Sequence, residues 1–226
     1  GIKMKPLFVL ILALITTEAF LIQRLPGNPI ITPSQLDPSE AVNINFPCLI
    51  KVPDWLEGKP LGKYYLYFSN HKGPKIHIAY SDRIEGPYTV YKNGTDITVP
   101  RLALLNNDTT DSKSHAASPD VLVDNYNMKL RMYFHFRLIN IGHVGGYATS
   151  KDGIHFDIQV GSIGSTYMRQ FVWQGKIYVF DRDGSITTSN DGINNLTVVN
   201  TNFGTNLANR SAINGDGYSG LIRHLG

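Results

Sequence analysis

Several titratable side chains lie at the ends of predicted strands, where a site for proton transfer could form. His71, His115 and His135 each border a run rich in tyrosine, phenylalanine, valine or isoleucine. An imidazole exchanges a proton near neutral pH, so it can act as a general acid or base. Asp181 and Asp183 follow a further strand and offer carboxyl groups. A single histidine is more often a structural side chain, so the structural interpretation stays open for each.

The strands that must position these residues recur in a fixed order. In the first unit they read FPCLIKV from Phe46, KYYLYFSN from Lys63, KIHIAYSD from Lys75 and PYTVYK from Pro87. In each unit an aromatic second strand precedes a third strand that ends in an aspartate turn, at Ser81-Asp82, Lys151-Asp152-Gly153 and Asn190-Asp191-Gly192. Such turns suit tight hairpins. A repeat of about 40 to 50 residues indicates a propeller or solenoid, and four antiparallel strands per repeat are a propeller blade. We therefore predict an all-β fold, a β-propeller.

The predicted blade units cover residues 43–95, 115–160 and 161–200, and a fourth unit starts at 213–226. About three blades and one strand cannot close a ring, and an open propeller exposes strand edges. We therefore expect a fragment that is truncated at its C-terminus. Residues 93–114 lie between two units and are predicted to form a long surface loop.

The first residues resemble a secretory leader. Lys3 and Lys5 precede the apolar run Leu7 to Ile15, and cleavage after Ala19 would fit the pattern. The run is shorter than the roughly 20 residues that span a bilayer. We predict a signal peptide over 1–19 and an N-terminal extension over 20–42, with an uncleaved anchor as the alternative.

Composition excludes several classes of protein. The 226 residues are 42% hydrophobic and 17% charged, which is enough apolar material for a substantial core. Lysine and arginine number 21 against 18 aspartates and glutamates, and this net charge of +3 is too weak for a nucleic-acid surface. The single cysteine, Cys48, rules out an intrachain disulfide and a CxxC metal site.

Four stretches carry a resemblance to a known superfamily. They are NINFPCLIKVPDWLEGKPLGKYYLYFSNHKG (43–73), IAYSDRIEGPYTVY (78–91), HAASPDVLVDNYNMKLRMYFH (115–135) and YATSKDGIHF (147–156). Together they resemble the five-bladed propellers of the arabinanase, levansucrase and invertase superfamily, especially proteins similar to glycoside hydrolase family 43. The resemblance implies an axial funnel whose acidic residues act on a glycosidic bond. Such hydrolysis needs one carboxylic acid and one carboxylate.

The resemblance directs attention to Asp120, Asp54 and His115 as catalytic residues. Asp120 lies in SPDV at the start of an innermost strand, although related enzymes usually place the aspartate before the proline. At the position of the catalytic base this sequence has Asn45, which cannot take up a proton as a base. Asp54 is the nearest carboxylate to that position, and a capping or loop role remains the alternative for both aspartates.

The third unit departs from the superfamily pattern. No glutamate follows Glu85, so the expected general-acid glutamate is missing, and the strand offers Tyr167 and Arg169 instead. An arginine there could bind a carboxylated or sulfated sugar. Trp55 could stack on a sugar or pack within a blade. The candidate substrate-binding residues are Asn45, Trp55, His71, His135, Arg169 and Asp183.

These observations predict a secreted glycoside hydrolase that acts on a poly- or oligosaccharide. Two alternatives remain, a carbohydrate-binding propeller without catalysis and an inactive truncated fragment. No cofactor is predicted, since no metal-ligand spacing is diagnostic, although an axial metal ion stays open. The expected partner is a carbohydrate, with no nucleic acid and no membrane beyond the leader, and the protein is expected to be an extracellular monomer.

Overall fold

The described part of the chain contains three antiparallel sheets of four strands each. The computed structural model describes residue 24 and residues 27–164, 166–180 and 185–200. The first sheet holds β1 (Ile44–Lys51), β2 (Tyr64–Asn70), β3 (Ile76–Ser81) and β4 (Thr89–Val90). The second holds β5 (His115–Asp124), β6 (Lys129–Leu138), β7 (Gly142–Ser150) and β8 (Asp157–Ile158). The third holds β9 (Arg169–Trp173), β10 (Lys176–Phe180), β11 (Ile186–Ser189) and β12 (Thr197–Asn200).

Within each sheet the strands pair in chain order, from first to fourth, as in a propeller blade. The prediction of an all-β, propeller-type fold is confirmed. The first strands of successive sheets contact one another, β1 against β5 and β5 against β9. They are therefore the innermost strands of the assembly, and residues at their beginnings meet at one end of it.

Apolar side chains fill the spaces between neighbouring sheets. The core that joins the first two sheets includes Tyr67, Ile78, Phe134 and Phe156, each at most 2% exposed. A second cluster joins the second and third sheets and consists of Tyr133, Tyr147, Met168, Ile177 and Val179. Burial of this apolar surface supplies the main driving force for packing one blade on the next.

The segment predicted to be a long loop contains a helix, which corrects that prediction. Helix α1 (Val99–Leu105) lies within residues 93–114. Thr98 caps it by accepting a hydrogen bond from the backbone N–H of Arg101, and a proline occupies its first turn. Leu102 is fully buried, so the helix covers part of the core. Two short 3-10 helices, Pro33–Gln35 and Pro38–Glu40, precede the first sheet.

Each innermost strand contains or follows a residue with positive φ. The φ values are 53° at Phe46, 57° at Ser118 and 58° at Tyr167. In β1 and β5 the pairing register shifts at this point, between Asn45 and Cys48 and between Ala117 and Asp120. Such bulges re-aim side chains. The three positive-φ residues are therefore equivalent positions of the repeat.

Some predictions lie outside the described residues. They are the leader over 1–19, the fourth unit at 213–226, and Asp181 and Asp183. Among the helices that the structure does describe, none has the length and apolar character needed to cross a membrane.

Candidate functional site

Four histidines come together where the innermost strands begin. His71 follows β2, His115 opens β5, and His135 and His143 lie in β6 and β7. The ring centroid of His115 lies 5.0 Å from those of His135 and His143 and 6.3 Å from that of His71. The structure thus brings together the three histidines that the sequence singled out, and it adds His143.

Hydrogen bonds orient the two buried rings of this group. Nδ1 of His115 lies 2.7 Å from the carbonyl oxygen of Lys113, and a carbonyl can only accept, so this nitrogen carries a proton. Nε2 of His115 lies 3.0 Å from Nε2 of His135. On its other side, Nδ1 of His135 lies 3.1 Å from Oγ of Ser118. Both nitrogens of each ring therefore have defined neighbours.

The surroundings favour neutral imidazoles. Burial, together with the neighbouring rings of His115, His71 and His143, lowers the pKa of His135 to about 3. Burial also lowers the pKa of His115 and of His71 from the ordinary histidine value. A neutral imidazole keeps a lone pair that can accept a proton or bind a metal.

Aromatic rings from the first and third sheets meet beside the histidines. The ring centroid of Phe46 lies 5.4 Å from that of Tyr167 and 5.8 Å from that of His71. The ring of Tyr167 in turn lies 4.7 Å from that of His135. We call the four histidines, together with Ser118 and these two aromatic residues, the central cluster. Its members are Phe46, His71, His115, Ser118, His135, His143 and Tyr167. Phe46, His71 and Tyr167 are partly exposed, so a ligand can reach them.

The carboxylate of Asp120 is directed at the neighbouring sheet. Its Oδ2 accepts a hydrogen bond of 2.9 Å from the backbone N–H of Gln170, and Asp120 is 2% exposed. Cys48 follows the bulge of the first sheet as Asp120 follows that of the second. Its Sγ accepts a hydrogen bond of 3.1 Å from the backbone N–H of Val121. These equivalent contacts indicate that the position links one sheet to the next.

Asp54 and Trp55 lie at the opposite end of the sheets from the central cluster. Both follow the end of β1, whereas the cluster surrounds its beginning. The indole N–H of Trp55 donates a hydrogen bond of 2.8 Å to Oδ1 of Asn125, in the turn after β5. The structure therefore does not bring these two predicted site residues together with Asp120 or with the histidines.

Arg169 and Asn45 border the central cluster. Nη1 of Arg169 donates to the carbonyl oxygens of Met168 and Ser118 at 3.0 and 3.4 Å. The amide of Asn45 donates to Oδ1 of Asn43 at 3.3 Å and accepts from Ser69 at 3.4 Å. Both predicted binding residues thus stand at the edge of the cluster, while Asp183 lies outside the described residues.

Sequence reasoning missed His143, although the hairpin register contains a signal for it. His115 pairs with Arg137, and Arg137 pairs with His143. His135 lies two residues before Arg137 on the same strand, so the three imidazoles project from the same face as diagonal neighbours. Aligning the second and third strands of the unit would have brought these histidines together.

Comparison with known proteins places the chain near a protein of unassigned activity. It is 43% identical over 221 residues to the uncharacterized protein R118 of Acanthamoeba polyphaga mimivirus. The alignment covers 92% of this chain and 62% of that protein. The chain therefore spans about three fifths of the length of the curated relative that it matches. No family model matches the sequence.

Solved structures with a similar arrangement of strands include several carbohydrate-active enzymes. One is the family 43 glycoside hydrolase BlXynB of Bacillus licheniformis, with 16% identity, a TM-score of 0.49, and coverage of 76% of this chain and 32% of that chain. Another is an exo-β-1,3-galactanase of Phanerochaete chrysosporium with β-1,3-galactotriose. It has 14% identity and a TM-score of 0.48, and the match covers 74% of this chain and 40% of that chain. A third is an N-acetylgalactosamine deacetylase of F. plautii with blood group B trisaccharide, with 12% identity, a TM-score of 0.45, and coverage of 73% of this chain and 55% of that chain. At these values, the propeller assignment rests on the three sheets of the chain itself.

Proposed function

We propose that the chain is the carbohydrate-binding part of a glycosidase-like propeller and that the sugar binds at the central cluster. The observation that carries the proposal is the contact between the partly exposed rings of Phe46 and Tyr167, with centroids 5.4 Å apart. Aromatic faces offer a sugar ring a flat apolar surface. The amide of Asn45 and the guanidinium of Arg169 border these rings and can hydrogen-bond to hydroxyl or acidic groups.

Binding is favoured over hydrolysis because of the side chains that meet at the cluster. Hydrolysis of a glycosidic bond ordinarily uses two carboxyl groups that reach the substrate. The equivalent positive-φ positions of the three sheets hold Phe46, Ser118 and Tyr167, and none of these side chains has a carboxyl group. Asp120, on the second innermost strand, is 2% exposed. A burial of this degree argues against direct contact with a sugar.

Binding of oligosaccharides to the purified chain tests the proposal. A suitable panel includes β-1,3-galactotriose and blood group B trisaccharide, the sugars named in two of the comparison structures. Saturable binding to a member of the panel is expected, and Phe46→Ala or Tyr167→Ala should weaken it by about tenfold or more. Trp173→Ala is the matched control, because Trp173 is 61% exposed and lies at the far end of β9. If all three variants bind the sugar with equal affinity, the sugar does not bind at the central cluster.

Hydrolysis of a poly- or oligosaccharide is a second candidate function. The observation that favours it is Asp120, whose carboxylate lies on an innermost strand two residues after Ser118 of the central cluster. Release of reducing sugar from the same panel would establish turnover. Loss of that turnover in Asp120→Asn, with sugar binding retained, would assign the carboxylate to the reaction.

Secretion and a monomeric state complete the proposal. The apolar run Leu7 to Ile15 after two lysines supports export through a cleaved leader. Expression in a eukaryotic secretory host should yield protein in the medium with its N-terminus near residue 20. Intact mass and light scattering of that material measure the cleavage point and the number of copies.

A further inference from the structure

The imidazoles of His115, His135 and His143 each bring one ring nitrogen close to the other two. These three nitrogens all lie within 4.8 Å of one another. Zinc holds histidine nitrogens at about 2.0–2.1 Å, which places two ligands of a tetrahedral site about 3.3 Å apart. The Nε2 atoms of His115 and His135 are already 3.0 Å apart. His143 is exposed and can move the small remaining distance by rotation of its side chain.

The hydrogen bond between Nδ1 of His115 and the carbonyl oxygen of Lys113 leaves Nε2 of His115 as the nitrogen that can bind a metal. Because Nδ1 of His115 donates to the carbonyl oxygen of Lys113, the neutral ring carries its lone pair on Nε2. A hydrogen bond from the other ring nitrogen to a backbone carbonyl is the usual support of a metal-bound histidine. The ring of His115 is therefore oriented and protonated as a ligand would need to be.

His135 can meet the same requirement through Ser118. A serine hydroxyl can donate or accept, so the contact of 3.1 Å between Oγ of Ser118 and Nδ1 of His135 suits either tautomer. Without a cation, Nε2 of His135 donates its proton to Nε2 of His115. With a cation between the rings, that proton moves to Nδ1 and is donated to Ser118, and both Nε2 lone pairs face the ion.

We propose that His115, His135 and His143 bind a divalent transition-metal ion of the zinc type. A set of three imidazoles suits zinc and similar ions, whereas calcium and magnesium require oxygen ligands. Three protein ligands leave a position for water or a bound molecule, as in catalytic zinc sites. The exposed side of His143 gives that position access to solvent. The proposal does not depend on sugar binding, because the metal is measured without a sugar.

Titration of the full chain with Co²⁺ and with Zn²⁺, after treatment with a chelator, tests the site. One equivalent of Co²⁺ should bind and give the visible absorption of a four-coordinate ion, and Zn²⁺ should displace it. His143→Ala should weaken binding by about 100-fold or more, since it removes a ligand and is exposed enough to leave the fold intact. His155→Ala is the matched control, because His155 is exposed and pairs with Asp152 instead.

Two further variants keep the test decisive. Ser118→Ala removes only the support of His135 and should weaken binding by about 10- to 100-fold. His135→Ala should abolish the Co²⁺ absorption, and circular dichroism checks that the sheets remain folded. The proposal is overturned if the wild-type chain shows no Co²⁺ absorption, or if His143→Ala and His155→Ala bind Co²⁺ with the same affinity.

Discussion

Asp120 and Gln170 join the second and third sheets by a reciprocal pair of hydrogen bonds. The backbone N–H of Gln170 donates to Oδ2 of Asp120 at 2.9 Å, and the side-chain amide of Gln170 donates to the carbonyl oxygen of Asp120 at 2.9 Å. The same amide also lies 3.3 Å from the carbonyl oxygen of Arg131. Gln170 is fully buried. Polar groups buried in this way hold two blades in one register.

Replacing Gln170 by leucine should destabilise the contact between these sheets. The substitution removes the amide donor from the buried carbonyl oxygens of Asp120 and Arg131, so the free energy of unfolding should fall by about 2 kcal/mol. Urea denaturation measures this loss. Gln159→Leu is the control, because Gln159 is exposed and should change stability by less than about 0.5 kcal/mol. Similar losses in both variants would contradict the linking role.

Asp120→Asn distinguishes a linking role from a catalytic one. The amide oxygen of asparagine can still accept from Gln170, but it is a weaker acceptor than a carboxylate. We expect the free energy of unfolding to fall by about 1–2 kcal/mol while sugar affinity stays unchanged. Unchanged stability combined with a specific loss of turnover would instead assign Asp120 to catalysis.

The sequence predicts the strands and the turns of this fold well, because both depend on local chemistry. Asp152 lies in the turn after the third strand of its unit, and its Oδ1 accepts from the backbone N–H groups of Ile154 and His155 at 2.8 Å. Asp191 repeats this arrangement in the third sheet with Ile193 and Asn194. An aspartate that binds the backbone two and three residues ahead needs no distant partner.

The directions of the site residues could not be predicted in the same way. A one-residue change of register moves a side chain to the opposite face of a sheet, and the bulge at Ser118 introduces such a change just before Asp120. A positive φ at a serine or a phenylalanine has no sequence signature. The sequence therefore selected Asp120, while Ser118 is the residue that contacts His135.

Gly153, in the turn after β7, packs closely against two tyrosines of the first sheet. Its φ is +80°, and an added Cβ would lie 2.9 Å from Cε2 of Tyr65 and from Oη of Tyr67. Tyr67 also donates a hydrogen bond of 3.0 Å to the carbonyl oxygen of Gly153. Tyr133 makes the equivalent contact with Gly192 of the third sheet. In the second and third sheets, the turn after the third strand thus packs against a buried tyrosine of the preceding sheet.

Gly153→Ala should therefore lower the free energy of unfolding by more than the positive φ alone would. The positive φ costs an alanine about 1 kcal/mol, and the steric contact with the two tyrosines adds about 1–3 kcal/mol. Gly175→Ala isolates the first contribution, since Gly175 has a φ of +75° with nothing within 4 Å of the added Cβ. Urea midpoints of the two variants give the comparison. Equal losses of stability in the two variants would show that Tyr65 and Tyr67 can move away from the added methyl group without a loss of stability.

His77 is a buried imidazole away from the central cluster. It is 1% exposed, and its ring stacks on Phe68 with centroids 5.1 Å apart. Burial lowers the pKa of His77 to about 4, Lys75 acts in the same direction, and Glu40, 4.0 Å away, opposes them. The folded protein thus holds this ring neutral at a pH where the unfolded chain is already protonated.

Acidification should therefore destabilise the fold through His77. Above about pH 6.5 the ring is neutral in both states and has no effect on the pH dependence. Between pH 6.5 and 4 only the unfolded chain takes up the proton, so the free energy of unfolding falls as the pH falls, by up to about 3 kcal/mol at pH 4. Urea denaturation of the wild type and of His77→Phe at several pH values measures this difference. His155→Phe serves as the control of opposite sign, because Asp152 raises the pKa of the exposed His155. Parallel pH profiles of the wild type and His77→Phe would show that this ring does not couple folding to protonation.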